Sequence, residues 1–214
     1  MDIEVFSDLI CPWCFIGKRR LDRALGTLDG HVRVRWRPFQ LYPDLPVAGV
    51  DRAAFYKARF GADTDARKIG ERIGAEALEA GITLGFDRMN KVPNTLAGHR
   101  LVSFFDDDPR QHALMDELFR AYFCEGRDLG DVDVLTDIAV GQGGQRETIR
   151  ARLCSDEGVK SVLTQVQGAY NAGLSGVPYF VLDGKFGIPG AQSAETMAQL
   201  IERARSRLAE GEPQ

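Results

Sequence analysis

Cys11 and Cys14 are the residues in this chain whose type and spacing most directly permit chemistry. They enclose Pro12 and Trp13 in the run Cys-Pro-Trp-Cys, while the other two cysteines, Cys124 and Cys154, lie far along the chain. The run sits where a short apolar strand candidate gives way to a helical pattern. At a helix start, unpaired backbone N–H groups and the macrodipole both favour negative charge, so a cysteine there is expected to carry a stabilised thiolate. Pro12 suits the first helical position, because its missing N–H is not needed there. A spacing of three puts both sulfurs on one helix face, within reach of a disulfide. Cys11, ahead of the first turn, is expected to be the exposed nucleophile, and Cys14 the resolving thiol that breaks a mixed disulfide. Trp13 is expected to form an apolar rim and, with Pro12, to touch substrate.

A zinc site is the competing reading of the pair. Structural zinc takes four ligands, often as two such pairs. Cys124 and Cys154 form no second pair, and His31, His99 and His112 show no ligand spacing. No metal is therefore expected. Cys124 and Cys154 read as small core residues.

The elements that must position the dithiol follow from periodicity. Ile3 to Phe6 is a strand candidate, and Pro12 to Leu28 is a helix with Phe15, Ile16, Leu21, Leu25 and Leu28 as its apolar set. Val32, Val34 and Trp36 alternate with Arg33, Arg35 and Arg37 in a half-buried strand ended by Pro38. Lys18, Arg19 and Arg20 read as the solvated face of the first helix. After Tyr42 the pattern turns helical for more than a hundred residues. Candidate helices lie near 51–60, 64–80, 94–106, 111–125, 131–142, 145–154 and 156–172, with Asn94 and Asp131 at N-cap positions. Phe104, Phe105, Phe119 and Phe123 fall at helical spacing and read as core. His99 lies on an apolar helix stripe and reads as a packed histidine with a local hydrogen bond. The sequence then returns to two short strands joined at Asp183-Gly184, a hairpin signal, and a last helix capped by Ser193. The order βαβ, helical block, ββα predicts an α/β chain with a thioredoxin-like fold interrupted by an all-helical insertion. The division expected is residues 1–45 and 173–214 for the thioredoxin-like domain, and 46–172 for the insertion.

Composition narrows the function. With 44% hydrophobic residues the chain of 214 can bury a core without disulfide staples, and its net charge of −4 supplies no basic field for nucleic acid. No stretch approaches the roughly 18 apolar residues of a membrane span. The first residues lack a basic region followed by an apolar run, so a cytoplasmic location is expected, where a close cysteine pair is more naturally reactive than structural.

The stretches SDLICPWCFIGKRRL, PNTLAGHRL, LFRAYFCEGRDLGD and SGVPYFVLDGKFGIPGAQ, in this order, resemble the DsbA family, and within it the FrnE-like branch. The resemblance implies dithiol–disulfide exchange on a protein or small-molecule disulfide, with no bound cofactor beyond the Cys11–Cys14 disulfide and with glutathione as a candidate co-substrate. Gly176-Val177-Pro178 alone would default to a trans proline. The resemblance makes it the cis-proline loop that faces the dithiol, with Val177 and Pro178 contacting substrate, and it implies that the helix carrying His99 lines the substrate cleft. Two departures stand out. Thioredoxin-fold enzymes often carry a buried acid six residues before the first cysteine, and here Val5 occupies that place. Glu4 or Asp8 are the substitutes at hand, Asp8 reading equally as a polar loop residue. Trp13 replaces the histidine of strongly oxidising members, which predicts a less oxidising couple. Two other readings stay open: a glutathione-dependent isomerase or kappa-type glutathione transferase, whose relatives usually have serine at the position of Cys11, and a non-catalytic binding protein or chaperone.

Overall fold

The computed structural model describes residues 1–61, 66–105 and 108–210. Its main sheet has four strands in the order β2-β1-β5-β6, built from β1 (Asp2–Ser7), β2 (Arg33–Pro38), β5 (Tyr179–Leu182) and β6 (Phe186–Pro189). β1 and β2 run parallel, because helix α1 (Pro12–Leu25) carries the chain back between them; β5 and β6 are antiparallel additions. The hairpin turns at Asp183 and Gly184, both with positive φ, as a type I′ turn requires. Alternation along β1 and β2 turns Ile3, Val5 and Ser7, with Val34, Trp36 and Pro38, to the buried side. Ser193 caps the final helix α9 (Ala194–Glu210) by accepting from the Thr196 N–H at 3.1 Å. α9 packs on α1.

Between β2 and β5 the chain runs through α2 (Arg52–Phe60), α3 (Ala66–Glu79), α4 (Leu96–Ser103), α5 (Asp108–Phe123), α6 (Val132–Gly141), α7 (Arg146–Cys154) and α8 (Val159–Asn171). Every helical segment expected from periodicity is present, with ends displaced by up to three residues; α5 starts earlier than expected, at Asp108. The block is not purely helical. Two two-residue strands, β3 (Val50–Asp51) and β4 (Lys91–Val92), pair antiparallel. Strands so short leave no alternation to read in sequence. They also let Asp51 cap α2 through the Ala54 N–H at 2.8 Å. Asp131 caps α6, whereas Thr95 holds the cap position of α4 and Asn94 reaches past it to the Leu96 N–H at 2.9 Å.

The helical block is bound to the sheet by aromatic stacking. Phe15 on α1 stacks on Phe119 at 5.3 Å and on Phe123 at 6.1 Å, both on α5, and Trp36 on β2 meets Phe119 edge-on at 6.3 Å. Such pairs contribute about 0.5–1.5 kcal/mol each beyond the area they bury. Phe105 is buried as expected, while Phe104 is half-buried beneath the Arg152 guanidinium. Lys18 and Arg20 depart from the solvated face assigned to them. Lys18 is buried between Asp22 and Asp116, at 2.7 and 3.0 Å, and Arg20 reaches Glu76 at 2.6 Å and the Ala191 carbonyl at 2.8 Å. α5 and α3 pack on α1 and bring Asp116 and Glu76 to its basic residues, which meet acids instead of water. Cys124 and Cys154 are likewise not core: Cys124 is half-buried, Cys154 is exposed at the end of α7, and both are free thiols.

Candidate active site

Cys11 is the N-cap residue of α1, with extended φ/ψ of −92° and 111°, and Pro12 follows as the first helical residue. Its carbonyl accepts from the Cys14 N–H at 3.0 Å, which closes the first turn and holds the second cysteine directly behind the first. The Cys11 thiol donates to the Val177 carbonyl at 3.4 Å. The Val177–Pro178 peptide bond is cis. Gly17, one turn further along α1, makes this approach possible: a Cβ there would lie 2.9 Å from Pro178 Cγ and 3.3 Å from Phe180 Cζ. The glycine therefore brings the dithiol end of α1 flush against the Val177–Pro178 loop.

Exposure differs from the sequence expectation. Cys11 is 4% exposed and Cys14 fully buried. Cys11 was expected to stand clear of the first turn, but the Val177 loop lies against it, and Tyr56 on α2 is near enough for its hydroxyl to respond to charge on the sulfur. Trp13 and Val177 are half-buried beside it. Burial pushes the Cys14 thiol well above its ordinary 9.0, and the hydrogen bond and charge of Cys11 push it the same way. The Ser7 side chain and the Asp8 backbone pull in the opposite direction. The two sulfurs are thus unequal: the second is held as a neutral thiol while the first occupies the helix start.

Behind the pair lies a polar cluster. Asp8 is fully buried, its Oδ2 accepting from the Leu41 N–H at 2.7 Å. His99 on α4 is 4% exposed; its Nε2 lies 3.0 Å from the Phe39 carbonyl and 3.5 Å from Asp8 Oδ1. A carbonyl only accepts, so Nε2 carries the proton and Nδ1 is free of it in the neutral ring. α4 comes this close because Gly98 has no side chain; a Cβ there would be 2.4 Å from Leu9 Cδ1. His99 is thus packed and hydrogen-bonded, beside an acid that the sequence did not single out as its partner. Glu4, the other candidate acid, pairs with Arg37 on the partly exposed side of the sheet. Ser7 was not singled out at all. Its signal was parity: with Ile3 and Val5 it falls on the inward face of β1.

Among the described residues, no group of three or more His, Cys, Asp or Glu is placed to hold a metal ion. No described helix is long and apolar enough to cross a membrane.

The sequence matches the family model of the DSBA-like thioredoxin domain over residues 2–202. The uncharacterized protein YwbO of Bacillus subtilis is 27% identical over 200 residues, covering 93% of this chain and 94% of that protein. A probable DsbA oxidoreductase from Streptomyces coelicolor superposes with a TM-score of 0.87 at 31% identity, over 96% of this chain and 90% of that one. A cytosolic disulfide reductase, DsbM from Pseudomonas aeruginosa solved with GSH, shares the fold with a TM-score of 0.61 at 18% identity, over 99% of this chain and 98% of that one.

Proposed function

The chain belongs to the DSBA-like thioredoxin-domain family, a disulfide-handling class of enzyme, and from that membership we propose that it is a dithiol–disulfide oxidoreductase with Cys11 as nucleophile and Cys14 as resolving thiol. One observation carries the reading: the Cys11 sulfur sits at a proline-started helix N-terminus and meets the Val177 carbonyl at 3.4 Å. In this reading the Cys11 thiolate attacks a substrate disulfide; one substrate sulfur leaves with the electron pair of the broken S–S bond and takes up a proton. Cys14, once deprotonated, attacks Cys11 and releases the second substrate sulfur. The dithiol is oxidised to a disulfide, and the substrate disulfide is reduced to two thiols. As the substrate approaches, the Val177 carbonyl exchanges the thiol proton for a backbone N–H of an extended segment. Pro12, Trp13 and Pro178 frame that segment. Residues 1–45 and 173–214 carry the chemistry, and 46–172 roof it.

The substrate is a protein or small-molecule disulfide, and glutathione is the proposed co-substrate that regenerates the dithiol. The GSH in the Pseudomonas reductase of the same fold favours that choice. A cytoplasmic setting belongs to the same proposal, since there the dithiol form dominates and net reduction follows. The decisive experiment compares Cys11→Ser and Cys14→Ser with the unaltered protein in glutathione-coupled reduction of a peptide disulfide. Cys11→Ser should abolish turnover, and Cys14→Ser should accumulate a mixed disulfide on Cys11. Full activity in both variants would overturn the dithiol mechanism, and no turnover in the unaltered protein would favour a binding role. Retained glutathione-dependent isomerisation in Cys11→Ser would move the chain to the isomerase reading.

A further inference from the structure

The proposed exchange leaves one proton without a visible route. Cys14 must lose its proton while the substrate is still attached to Cys11, and Cys14 has no exposed surface of its own. The substrate then covers the front. The proton has to leave from behind.

A cavity of about 300 Å³ opens between β2, α4, α5 and α8, with Ser7 at the end of β1 in its lining. Its outer wall includes Glu157 and Ser161, both exposed, and its floor is Ser7 and His99, both buried. Gln111 and Gln165 line it between them. Its volume and polar walls suit a short chain of waters, at roughly 30 Å³ of liquid per molecule. Ser7 Oγ is buried and makes no hydrogen bond among the described residues, an uncommon state for a hydroxyl that a fold encloses. It lies beside the Cys14 sulfur, where it favours the charged form. One buried hydroxyl therefore lines a solvent-connected cavity and acts on the resolving sulfur.

We propose that Ser7 is a catalytic relay that passes the Cys14 proton to water in this cavity. This rests on the oxidoreductase reading above. The Cys14 S–H proton moves to Ser7 Oγ as the Ser7 O–H proton moves to cavity water. The sulfur's freed electron pair forms the bond to Cys11. The Cys11–substrate bond breaks with its pair on the departing sulfur, which is protonated by solvent. The serine is unchanged at the end, and no oxidant beyond the substrate disulfide is required. The charged groups around the path are already engaged: Arg37 by Glu4, and Arg152 by Glu157 at the mouth. Cys11 is the titratable group acting on Cys14, His99 lies 3.5 Å from Asp8 on the segment before them, and Tyr122 and Tyr170 face Asp8 from α5 and α8.

The test uses the probe 5,5′-dithiobis(2-nitrobenzoate) on the full chain with Cys124 and Cys154 replaced by serine. The first thionitrobenzoate released reports attack by Cys11, and the second reports attack by Cys14 on the mixed disulfide. Ser7→Ala should leave the first phase unchanged and slow the second about a hundredfold at neutral pH, the low end of acid–base contributions, with a steeper dependence on pH. Ser7→Thr, which restores a hydroxyl, should recover most of the rate. A second phase in Ser7→Ala equal to that of the parent at every pH would overturn the relay. So would an unchanged Ser7→Ala beside a slowed Asp8→Asn, which would pass the proton to the carboxylate directly. Failure of the parent to release a second equivalent is a different result: it removes the dithiol mechanism itself, and the relay with it.

Discussion

The Cys11 thiol and the Val177 carbonyl, 166 residues apart in sequence, are hydrogen-bonded at 3.4 Å. This contact joins the start of α1 to the loop before β5, and it exists because α1 presents a glycine where it crosses Pro178. Gly17→Ala tests the packing on which the site depends. The added methyl would sit 2.9 Å from Pro178 Cγ and 3.3 Å from Phe180 Cζ, both on a loop and strand fixed in the main sheet. Overpacking of this kind costs about 1–3 kcal/mol. Urea denaturation should show that loss, and disulfide reduction should fall at least about tenfold as Val177 is displaced from Cys11. Unchanged activity would mean that the Val177 contact does not matter for turnover.

Alkaline pH should destabilise the reduced protein through Cys14. Its folded pKa is raised by burial and by Cys11, so above the ordinary 9.0 the unfolded chain loses this proton while the folded chain keeps it. The folded state then binds more protons, and stability falls as pH rises, by at most about 1.4 kcal/mol per pH unit. Below about pH 8 the contribution is fully present. Tyr56 and Tyr122, also raised by burial, act in the same direction higher up. Denaturation of the reduced protein and of Cys14→Ala across pH 7 to 10 separates them. The difference between the two should shrink as pH rises, and a parallel pair of curves would contradict this.

At the acid end, Asp22 supplies the opposite dependence. Burial alone would raise its carboxyl, but hydrogen bonds from His112 and Lys18 and their charges outweigh it and hold the carboxyl below the usual 3.8. The Trp36 indole donates to His112 Nδ1 at 3.1 Å, so Nδ1 is the acceptor and the Nε2 proton points to Asp22 Oδ1 at 2.6 Å. Stability from this group is present above the unfolded value and is lost as pH falls through the lower folded one. Partial exposure limits the effect to roughly 1 kcal/mol. Asp22→Asn should show a smaller loss of stability between pH 5 and 3 than the parent, measured by urea midpoint; an equal loss would place the acid sensitivity elsewhere.

The pattern of the chain made α1, β2, the hairpin and the helical block legible, because each is long enough for a period of 3.6 or 2 to show. Cys11, Cys14 and the Val177–Pro178 loop were legible as types and positions, although their contact depends on chain folding. What stayed hidden is what depends on enclosure. Lys18 looks like a solvated residue until α5 brings Asp116 to it. Asp8 looks like a loop residue until Gly98 lets α4 press His99 against it. The exposure expected for Cys11 assumed an open helix start, and the Val177 loop that covers it comes from the other end of the sequence.

Trp13 sets the last expectation, the redox poise of the couple. An indole N–H is a neutral donor and adds no positive charge beside the Cys11 thiolate. Stabilisation of the reduced form then rests on the helix start, while burial of Cys14 keeps the second sulfur protonated. A couple whose thiolate is less favoured is less oxidising, which places this one between the disulfide isomerase and thioredoxin values, about −180 to −270 mV. Trp13→His would add a group able to bear charge at the thiolate, and should raise the potential by about 30 mV, or 1.4 kcal/mol. Equilibration against glutathione buffers, read by alkylation of Cys11, gives both numbers. A parent potential near −120 mV, or no rise in Trp13→His, would show that the residue between the cysteines does not govern the poise.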